Sequence, residues 1–483
     1  MSDRSVYYKM FKAYDIRGTF PDLNEAVYYW TGFAFVDLLL RPENLPLQVV
    51  IVRDTRFTSP NFYSALYNGL KAAGAKPIAL GLGSTDFFYA ACQYFNYPGI
   101  IVTASHNPKN DNGMKLVKVA PNSVGLDSGL DIIRNFVISK IESTNFENLA
   151  REFEQVPEDS VKKSEVISFF KNKLETIGGI KEVDLLLAQQ NRKLKVVVDT
   201  GNGMGGWFMP DVSRMYQNIE FVPLYWELDG NFPNHPADPL QSENIRDLQQ
   251  LVISQKADLG VAFDGDADRA FFVDENGKKI DGNYLVSVFA QTLIKSVQSG
   301  SSKFNPAVVY SLTGSRCMPN SINEVAGVAI PSKQGHIHFK KLMKEYKAVY
   351  GGEFTGHHYF ADFGYMDSGF VAMVVFLKTL VMSGKTVSQL FDSFVDRYFL
   401  SEEIILKIPV NQTFQDLVEK IKNKYQDASS IHFQDGVAVF YKDWKFNLRP
   451  SNTEPVLRFL LESTISREHC DQKVKEVIHL LGF

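Results

Sequence analysis

The chain has 483 residues, 45% of them hydrophobic and 22% charged, with a formal net charge of −4. That length is too great for one ordinary core and calls for roughly three or four domains of about 100 to 150 residues. The composition is that of a folded soluble protein, and the charge excludes general electrostatic attraction to nucleic acid, so any bound anion must be held by local clusters.

The opening segment MSDRSVYYKMFKAYDIRG has no apolar h-region. Within it, Arg17 reads either as a surface charge or as a charge partner for a site. An apolar β-branched run, LQVVIVRDT at 47–55, precedes a helix-like stretch, SPNFYSALYNGLKAAG at 59–74. The next run, GIIVTAS at 99–105, stops at a Ser-His-Asn-Pro cluster, and a loop rich in Asn, Asp and Gly then leads to Lys115. Ser105 and its neighbour His106 are open to two readings here: a turn former, or a nucleophile presented at a strand end with an imidazole beside it.

Further runs follow at KVVVDTGNG (195–203), DLGVAFDGD (258–266) and PAVVYSLTGS (306–315), with helix-like SENIRDLQQLVISQK (242–256) and INEVAGVA (322–329) among them. Strands alternating with helices predict βαβ units and mostly parallel sheets, with functional loops at strand carboxyl ends. The apolar segment at 369–382 is shorter than the about 20 residues of a membrane span and contains Lys378, so it reads as a buried helix. Polar stretches place domains at 1–153, 154–274, 275–388 and 389–483. The first three share the strand-then-Asp/Thr-Gly pattern, which hints at triplication. In the last, strands around WKFNL and VLRFLLES flank a polar loop, and a terminal helix follows. Cys92, Cys317 and Cys470 form no CxxC pair, which suggests neither a disulfide framework nor a thiolate metal site and fits a reducing cytoplasm.

DGDADR at 264–269 sets Asp264, Asp266 and Asp268 directly after an apolar run. Three like charges this close repel one another unless they are solvated or gathered round a cation. An EF-hand loop competes, since Glu275 falls at its twelfth position. Arg269 stands where that loop needs Gly, however, and both flanks read as strands, so Mg²⁺ on a strand-end loop is preferred. GGEFTGHH at 351–358 offers Glu353, Thr355 and His357 at alternate positions. If the loop is extended they face one ligand, a trio suited to sugar hydroxyls; a plain turn is the other reading. RPSNTEPVLR at 449–458 supplies Arg449, Ser451, Asn452, Thr453 and Arg458, donors suited to phosphate oxygens or else a polar inter-strand turn. In SKQGHIHFKKLM, His336 is either a helix-start residue or a ligand, with Lys333 just before it.

Taken together, FKAYDIRG, TASHNP, DGDADR, the KQGH stretch, GEFTGHH and RPSNTEP resemble the motifs of the α-D-phosphohexomutase family, in its order, from residue 11 to residue 458. GGEFTGHHYFADFGYMDSG and FPNHPADPL at 232–240 look most like its bacterial phosphomannomutase branch. The resemblance implies four domains around a cleft: three similar mixed α/β domains and a TATA-box-binding-protein-like α+β domain. It implies a phosphoserine at Ser105, which with Asp264, Asp266 and Asp268 holds one Mg²⁺. It places Arg17, Lys115 and Arg269 near the moving phosphoryl group. Glu353 and Thr355 would read the sugar's 3- and 4-hydroxyls, with His357 beside them and Tyr14, Lys333 and His336 also at the substrate. Arg449, Ser451, Asn452, Thr453 and Arg458 would grip the distal phosphate.

The activity so implied interconverts mannose 6-phosphate and mannose 1-phosphate through a hexose 1,6-bisphosphate, which is both intermediate and activator, and feeds GDP-mannose synthesis. A phosphoglucomutase, or a dual-specificity enzyme, is the near alternative; a metal-dependent sugar phosphatase is the different-class one. Lys115, His106, His336 and His357 remain candidates for acid and base. A cytoplasmic monomer or weak homodimer is expected, acting on small hexose phosphates without nucleic acid or membrane. Two departures from common family forms are Ala267 where Gly is frequent and Thr355 where Ser is frequent.

Overall fold

The computed structural model describes residues 4–143, 146–151, 153–300, 302–408, 412–450 and 456–483. Ser451, Asn452 and Thr453, expected at the phosphate grip, lie outside the described residues.

The first sheet contains β1 (Ile16–Thr19), β2 (Gln48–Arg53), β3 (Lys76–Leu82), β4 (Gly99–Val102) and β5 (Asp111–Val117), in the order β1-β5-β4-β2-β3. Strands β2, β3 and β4 are parallel, whereas β5 is antiparallel to both neighbours. The parallel strands β2 and β4, QVVIVR and GIIV, are buried along almost their whole length. Helices cover both faces, which is why these strands read as continuous apolar runs and not as alternating ones.

The second sheet, β6 (Leu194–Asp199), β7 (Ile219–Leu224), β8 (Leu259–Phe263) and β9 (Ala270–Asp274), has the order β7-β6-β8-β9. The third, β10 (Asn305–Ser311), β11 (Val328–Ser332), β12 (Ala348–Gly352), β13 (His358–Phe360) and β14 (Met366–Asp367), has the order β11-β10-β12-β13-β14. All three sheets share one plan. The central parallel strand comes first in sequence, its two parallel partners follow, and an antiparallel strand closes the edge of the trio. The triplication hinted at by the strand-end pattern is therefore a repeated topology.

The fourth sheet is antiparallel: β15 (Phe399–Leu400), β16 (Ile404–Leu406), β17 (Ser430–His432), β18 (Val437–Phe440), β19 (Trp444–Pro450) and β20 (Leu457–Ser463). Its order is β15-β20-β19-β18-β17, with β16 also on β20. Helices Phe414–Lys424 and Arg467–Leu481 supply the apolar residues that pack with it in a separate core. A continuous apolar cluster, by contrast, runs from β2 and β4 through the second and third sheets. The helix Gly369–Ser383 lies inside that cluster and is buried nearly throughout, as its composition predicts. Among the described residues no single helix is long and apolar enough to cross a membrane.

One helix-like stretch is corrected. INEVAGVA is not a helix: Cys317–Glu324 ends there, and Val328 already belongs to β11. Ala326 turns into the left-handed region at φ 56°, and Gly327 N–H donates to the Ile322 carbonyl at 2.9 Å, a helix-terminating pattern that outweighs the local helix preference.

Candidate active site

Strand β4 ends at Val102, and the backbone bends at once: Ser105 N–H donates to Thr103 Oγ1 at 3.0 Å, and Ser105 takes φ +53°. For an L-residue the left-handed region costs roughly 1 to 2 kcal/mol. This conformation turns the chain sharply just after β4 and sets the direction of the Ser105 side chain. Ser105 is 2% exposed. Its Oγ donates to Asp264 Oδ2 at 3.0 Å and lies 3.2 Å from His106 Nδ1. Burial, then the charges of Arg269 and Arg17, hold the His106 imidazole well below its ordinary value.

Asp264 belongs to the loop between β8 and β9, whose antiparallel register pairs Phe263 with Ala270. Strands on both sides remove the EF-hand reading. Asp264, Asp266 and Asp268 are fully buried, which removes the solvated-turn reading, and ligand oxygens from all three lie within 4.8 Å of one another. Cations offset part of this charge. Arg269 Nε donates to Asp264 Oδ2 at 2.9 Å, and Lys115 Nζ, from β5, binds Asp266 Oδ2 at 3.0 Å and also Asp268. Thr85 Oγ1 donates to Asp266 Oδ2 at 2.5 Å. Burial pushes the Asp264 carboxyl up; it would raise Asp266 too, but Lys115 and Thr85 bring that group below its ordinary value.

Asp266 Oδ1 and Asp268 Oδ1 nevertheless remain buried with no hydrogen-bond partner. Unpaired, buried carboxylate oxygens in a cluster of three close aspartates suit a hard, oxygen-seeking divalent cation, so the donor set fits Mg²⁺.

Arg17 is no free surface charge. On β1, its Nε pairs with Asp15 at 2.7 Å, and its Nη1 donates to the Ala104 carbonyl at 3.1 Å and to Asn107 Oδ1 at 2.6 Å, on either side of Ser105. Arg56, which the sequence reading passed over, also holds this turn, donating to the carbonyls of Ser105, Asn107 and Pro108 and to that of Asp111 at the start of β5. Arg269 Nη2 is buried, without a hydrogen-bond partner and 4.0 Å from Asp238.

The GGEFTGHH segment is not extended, which corrects the alternate-residue expectation. Glu353 N–H donates to the His357 carbonyl at 2.9 Å and Gly356 N–H to the Glu353 carbonyl at 3.1 Å, so the chain closes into a turn at Gly356, φ +98°. Turn formation sends the side chains to different partners. Glu353 accepts from Tyr359 Oη at 2.5 Å and from Gly335 N–H at 3.3 Å, on the KQGH side. His357 Nδ1 instead lies 3.1 Å from Asp367 Oδ2 and 3.8 Å from Asp268 Oδ1, beside the acidic loop. Burial opposes charge on His357, but Asp268 and Asp367 raise its pKa overall. Thr355 lies within the turn.

His336 begins the helix His336–Tyr346, and its ring meets Tyr14 edge-on at 5.6 Å. The helix-start reading of His336 therefore holds, and its ring lies at the junction between the first and third domains. Tyr14 Oη donates to the Gln334 carbonyl at 3.2 Å, and Lys333 is exposed on the same loop. Behind His336, buried Lys340 binds Asp367 Oδ1 at 2.8 Å and approaches His336 Nδ1 at 3.4 Å, joining it to His357 through Asp367. From the fourth domain, Arg449 and Arg458 face each other across β19 and β20. Arg449 Nη2 donates to Gln334 Oε1 at 3.1 Å, reaching the third domain, and Arg458 Nη1 donates to Glu403 at 2.6 Å.

Arg56, Lys340, Asp367, Gln334 and Glu403 are thus the parts that reading the sequence missed. Arg56 had a usable signal, RDTR at the end of an apolar strand, the same placement that singled out the aspartates. Gln334, Lys340 and Asp367 lie within stretches already singled out, SKQGHIHFKKLM and GGEFTGHHYFADFGYMDSG, but nothing local sets them apart from their neighbours, and Glu403 carries no pattern.

Comparison with known proteins agrees with this architecture. Profiles of the phosphoglucomutase/phosphomannomutase alpha/beta/alpha domains I, II and III match residues 8–136, 174–277 and 281–398, and that of the C-terminal domain matches 403–480. A phosphomannomutase of Escherichia coli is 32% identical over 480 residues, 98% of each chain. Phosphohexose mutases of Xanthomonas campestris pv. campestris (strain B100) are 33% identical over 478 residues, again 98% of each. A solved phosphoglucomutase/phosphomannomutase family protein from Burkholderia thailandensis has TM-score 0.79 and 26% identity, covering 100% of this chain and 98% of that one. The N-acetylphosphoglucosamine mutase of Aspergillus fumigatus, solved with GlcNAc-6P and magnesium, shares the fold at TM-score 0.58 and 14% identity over 99% of this chain and 97% of that one. With all four domain profiles matched in order and relatives aligned from end to end, the chain belongs to the phosphoglucomutase/phosphomannomutase family of phosphohexomutases.

Proposed function

We propose that this phosphohexomutase is a phosphomannomutase: phosphorylated Ser105 donates its phosphoryl group to a hexose monophosphate, and the resulting 1,6-bisphosphate turns end for end before Ser105 takes the other phosphate back. The observation that carries the reading is Ser105 itself, strained at φ +53° and bonded to one of three buried, close aspartates. Phosphoryl transfer needs alignment and charge neutralisation more than covalent assistance from many groups.

Asp264, Asp266 and Asp268, with the Ser105 phosphate, would hold Mg²⁺, which when bound neutralises charge on the phosphate oxygens. The Aspergillus relative's magnesium and phosphosugar support that assignment. Arg17 fixes the turn on both sides of Ser105, and the unpartnered Arg269 Nη2 is a donor for a phosphate oxygen. Lys115 offers a second cation, and His106 Nδ1 stands 3.2 Å from Ser105 Oγ. Arg449 and Arg458, with Ser451, Asn452 and Thr453 between them in sequence, would grip the non-reacting phosphate. Glu353, Thr355, His357, Tyr14, Lys333 and His336 would bind the sugar between the two ends. A site that accepts either orientation must hold the middle and the far end of the substrate and leave the near end free. That division of labour favours a mutase over a phosphatase.

Intact-mass measurement tests the central step. Protein treated with hexose 1,6-bisphosphate should gain one phosphate, and Ser105→Ala should lose both that gain and about 10³-fold or more of kcat. Near-normal turnover by Ser105→Ala would refute the phosphoserine. Mannose 1-phosphate should be turned over in preference to glucose 1-phosphate; the reverse preference would make the enzyme a phosphoglucomutase. That second reading is kept because the Xanthomonas relatives are named phosphohexose mutases without a single sugar.

A further inference from the structure

Arg56 is 1% exposed, and its guanidinium is spent on one segment of chain. Nη2 donates to the carbonyls of Ser105 at 2.8 Å and Asn107 at 2.7 Å; Nη1 donates to those of Pro108 at 2.6 Å and Asp111 at 2.9 Å. Its Nε lies at an ion-pair distance of 3.2 Å from Asp54 Oδ2 without making a hydrogen bond, while Asp54 Oδ1 accepts from Arg56 N–H at 3.0 Å and Ser59 Oγ at 2.5 Å. The second domain closes over it. Phe232 places its ring centroid 5.1 Å from the guanidinium carbon, and Gly230 packs so closely that a Cβ there would lie 2.7 Å from Arg56 Cα.

From this geometry we propose that Arg56 is the positioning residue of the phosphoryl-transfer step, holding the Ser105 turn in its strained conformation, and that Phe232 locks it in place. The proposal rests on Ser105 being the phosphoryl carrier. A side chain that merely filled space would not need four carbonyl acceptors between Ser105 and the first residue of β5, the first of them Ser105's own. Only a planar fork of fixed N–H vectors spans such a set; an ammonium presents three donors from a single point. Bonding the Ser105 carbonyl fixes the peptide that follows the strained residue, and with it the direction of Cα–Cβ. Because Arg56 touches no reacting atom, its removal should act on the rate of transfer and not on the grip on the sugar. An error of about 1 Å in the nucleophile's position is enough to cost about 10²-fold in rate.

The test uses the full-length, phosphorylated enzyme. Arg56→Lys should lower kcat about 10²-fold while KM for the hexose 1-phosphate stays within about threefold. It should also raise the share of Ser105 phosphate lost to water per transfer to sugar by about tenfold, a partition that a merely structural role would not move. Phe232→Leu leaves every hydrogen-bond donor in place and should shift the same partition in the same direction by a smaller factor. It also carries the test if Arg56→Lys fails to fold. Unchanged partition in a folded, phosphorylated variant overturns the proposal, as does a kcat within about threefold of the parent for Arg56→Lys. Absence of phosphate on Ser105 in the unsubstituted enzyme would instead overturn the reading on which the proposal rests, and intact mass separates the two failures.

Discussion

At Ser105 and Ala267 the backbone passes through the left-handed region, at φ +53° and +62°. Ala267 stands where the family often has Gly, and its conformation gives the reason for that preference. Replacing it by Gly relieves roughly 1 kcal/mol of strain but removes a fully buried methyl worth about 0.8 kcal/mol and loosens the unfolded chain. Ala267→Gly should therefore leave the urea midpoint close to the parent's. Ala267→Val, β-branched at positive φ and in a filled space, should cost about 2 kcal/mol or more. A stable Val variant would mean that the loop tolerates another conformation. The orphaned oxygens of Asp266 and Asp268 lead to a second expectation: Mg²⁺ at about 100 times its Kd should stabilise the fold by about 2.7 kcal/mol. Asp268→Asn should lose most of that gain in thermal-shift measurements.

Between elements, the decisive contact is the one between the Ser105 turn and the acidic loop. Gly265 lies so near the Ser105 carbonyl oxygen that a Cβ would collide with it, and Gly265 N–H and carbonyl are taken by Ala237 and Met204. Neither loop has room to retreat. Gly265→Ala should therefore push Ser105 away from Asp264 and lower kcat about 10²-fold, with KM changing far less. Unaltered kcat in steady-state assays would show that the contact does not set the alignment. Strand identity at this scale was legible, because DLGVAF and RAFFVD are β-branched and aromatic runs that end in charge. The GGEFTGHH turn was legible only as one of two readings: its closure depends on a backbone pair between Glu353 and His357 and on Gly356 at φ +98°, which alternation cannot reveal.

Across the whole molecule, the first and third domains are joined at Asp86, buried between the starts of the helices Thr85–Phe95 and Gly369–Ser383. It accepts from Ser84 Oγ, from Ser368 Oγ at 2.8 Å and from Phe87 N–H at 2.9 Å. Burial outweighs these bonds and pushes its carboxyl up to about 7 from an ordinary 3.8. Because the folded value is the higher one, the folded state binds the proton more tightly. The cost of the buried charge is absent below about pH 4, grows as the pH rises toward 7 and is complete above it. Asp86→Asn removes that cost at every pH, so its thermal midpoint relative to the parent should rise between pH 5 and pH 8, by an amount on the order of a few kcal/mol in stability. A difference that does not vary with pH would show that Asp86 does not titrate in this range. The fourth domain keeps its own core and meets the third through polar groups such as Arg449 with Gln334, whereas one apolar cluster runs through the first three.

What the sequence determined by itself is chemistry that lies within a few residues of one chain segment. The three aspartates at alternate positions, the Ser-His-Asn-Pro cluster after an apolar run and the β-branched strands were all readable there, because local composition sets strand preference and charge density. Family membership followed from the order of those segments. Only the tertiary structure decided that Ser105 bonds Asp264, 159 residues away in sequence, that Lys115 and not solvent balances the aspartates, and that Arg56 and Arg17 both brace the turn. Such contacts join strand ends from different sheets, and no periodicity within one segment records which strand end another will meet.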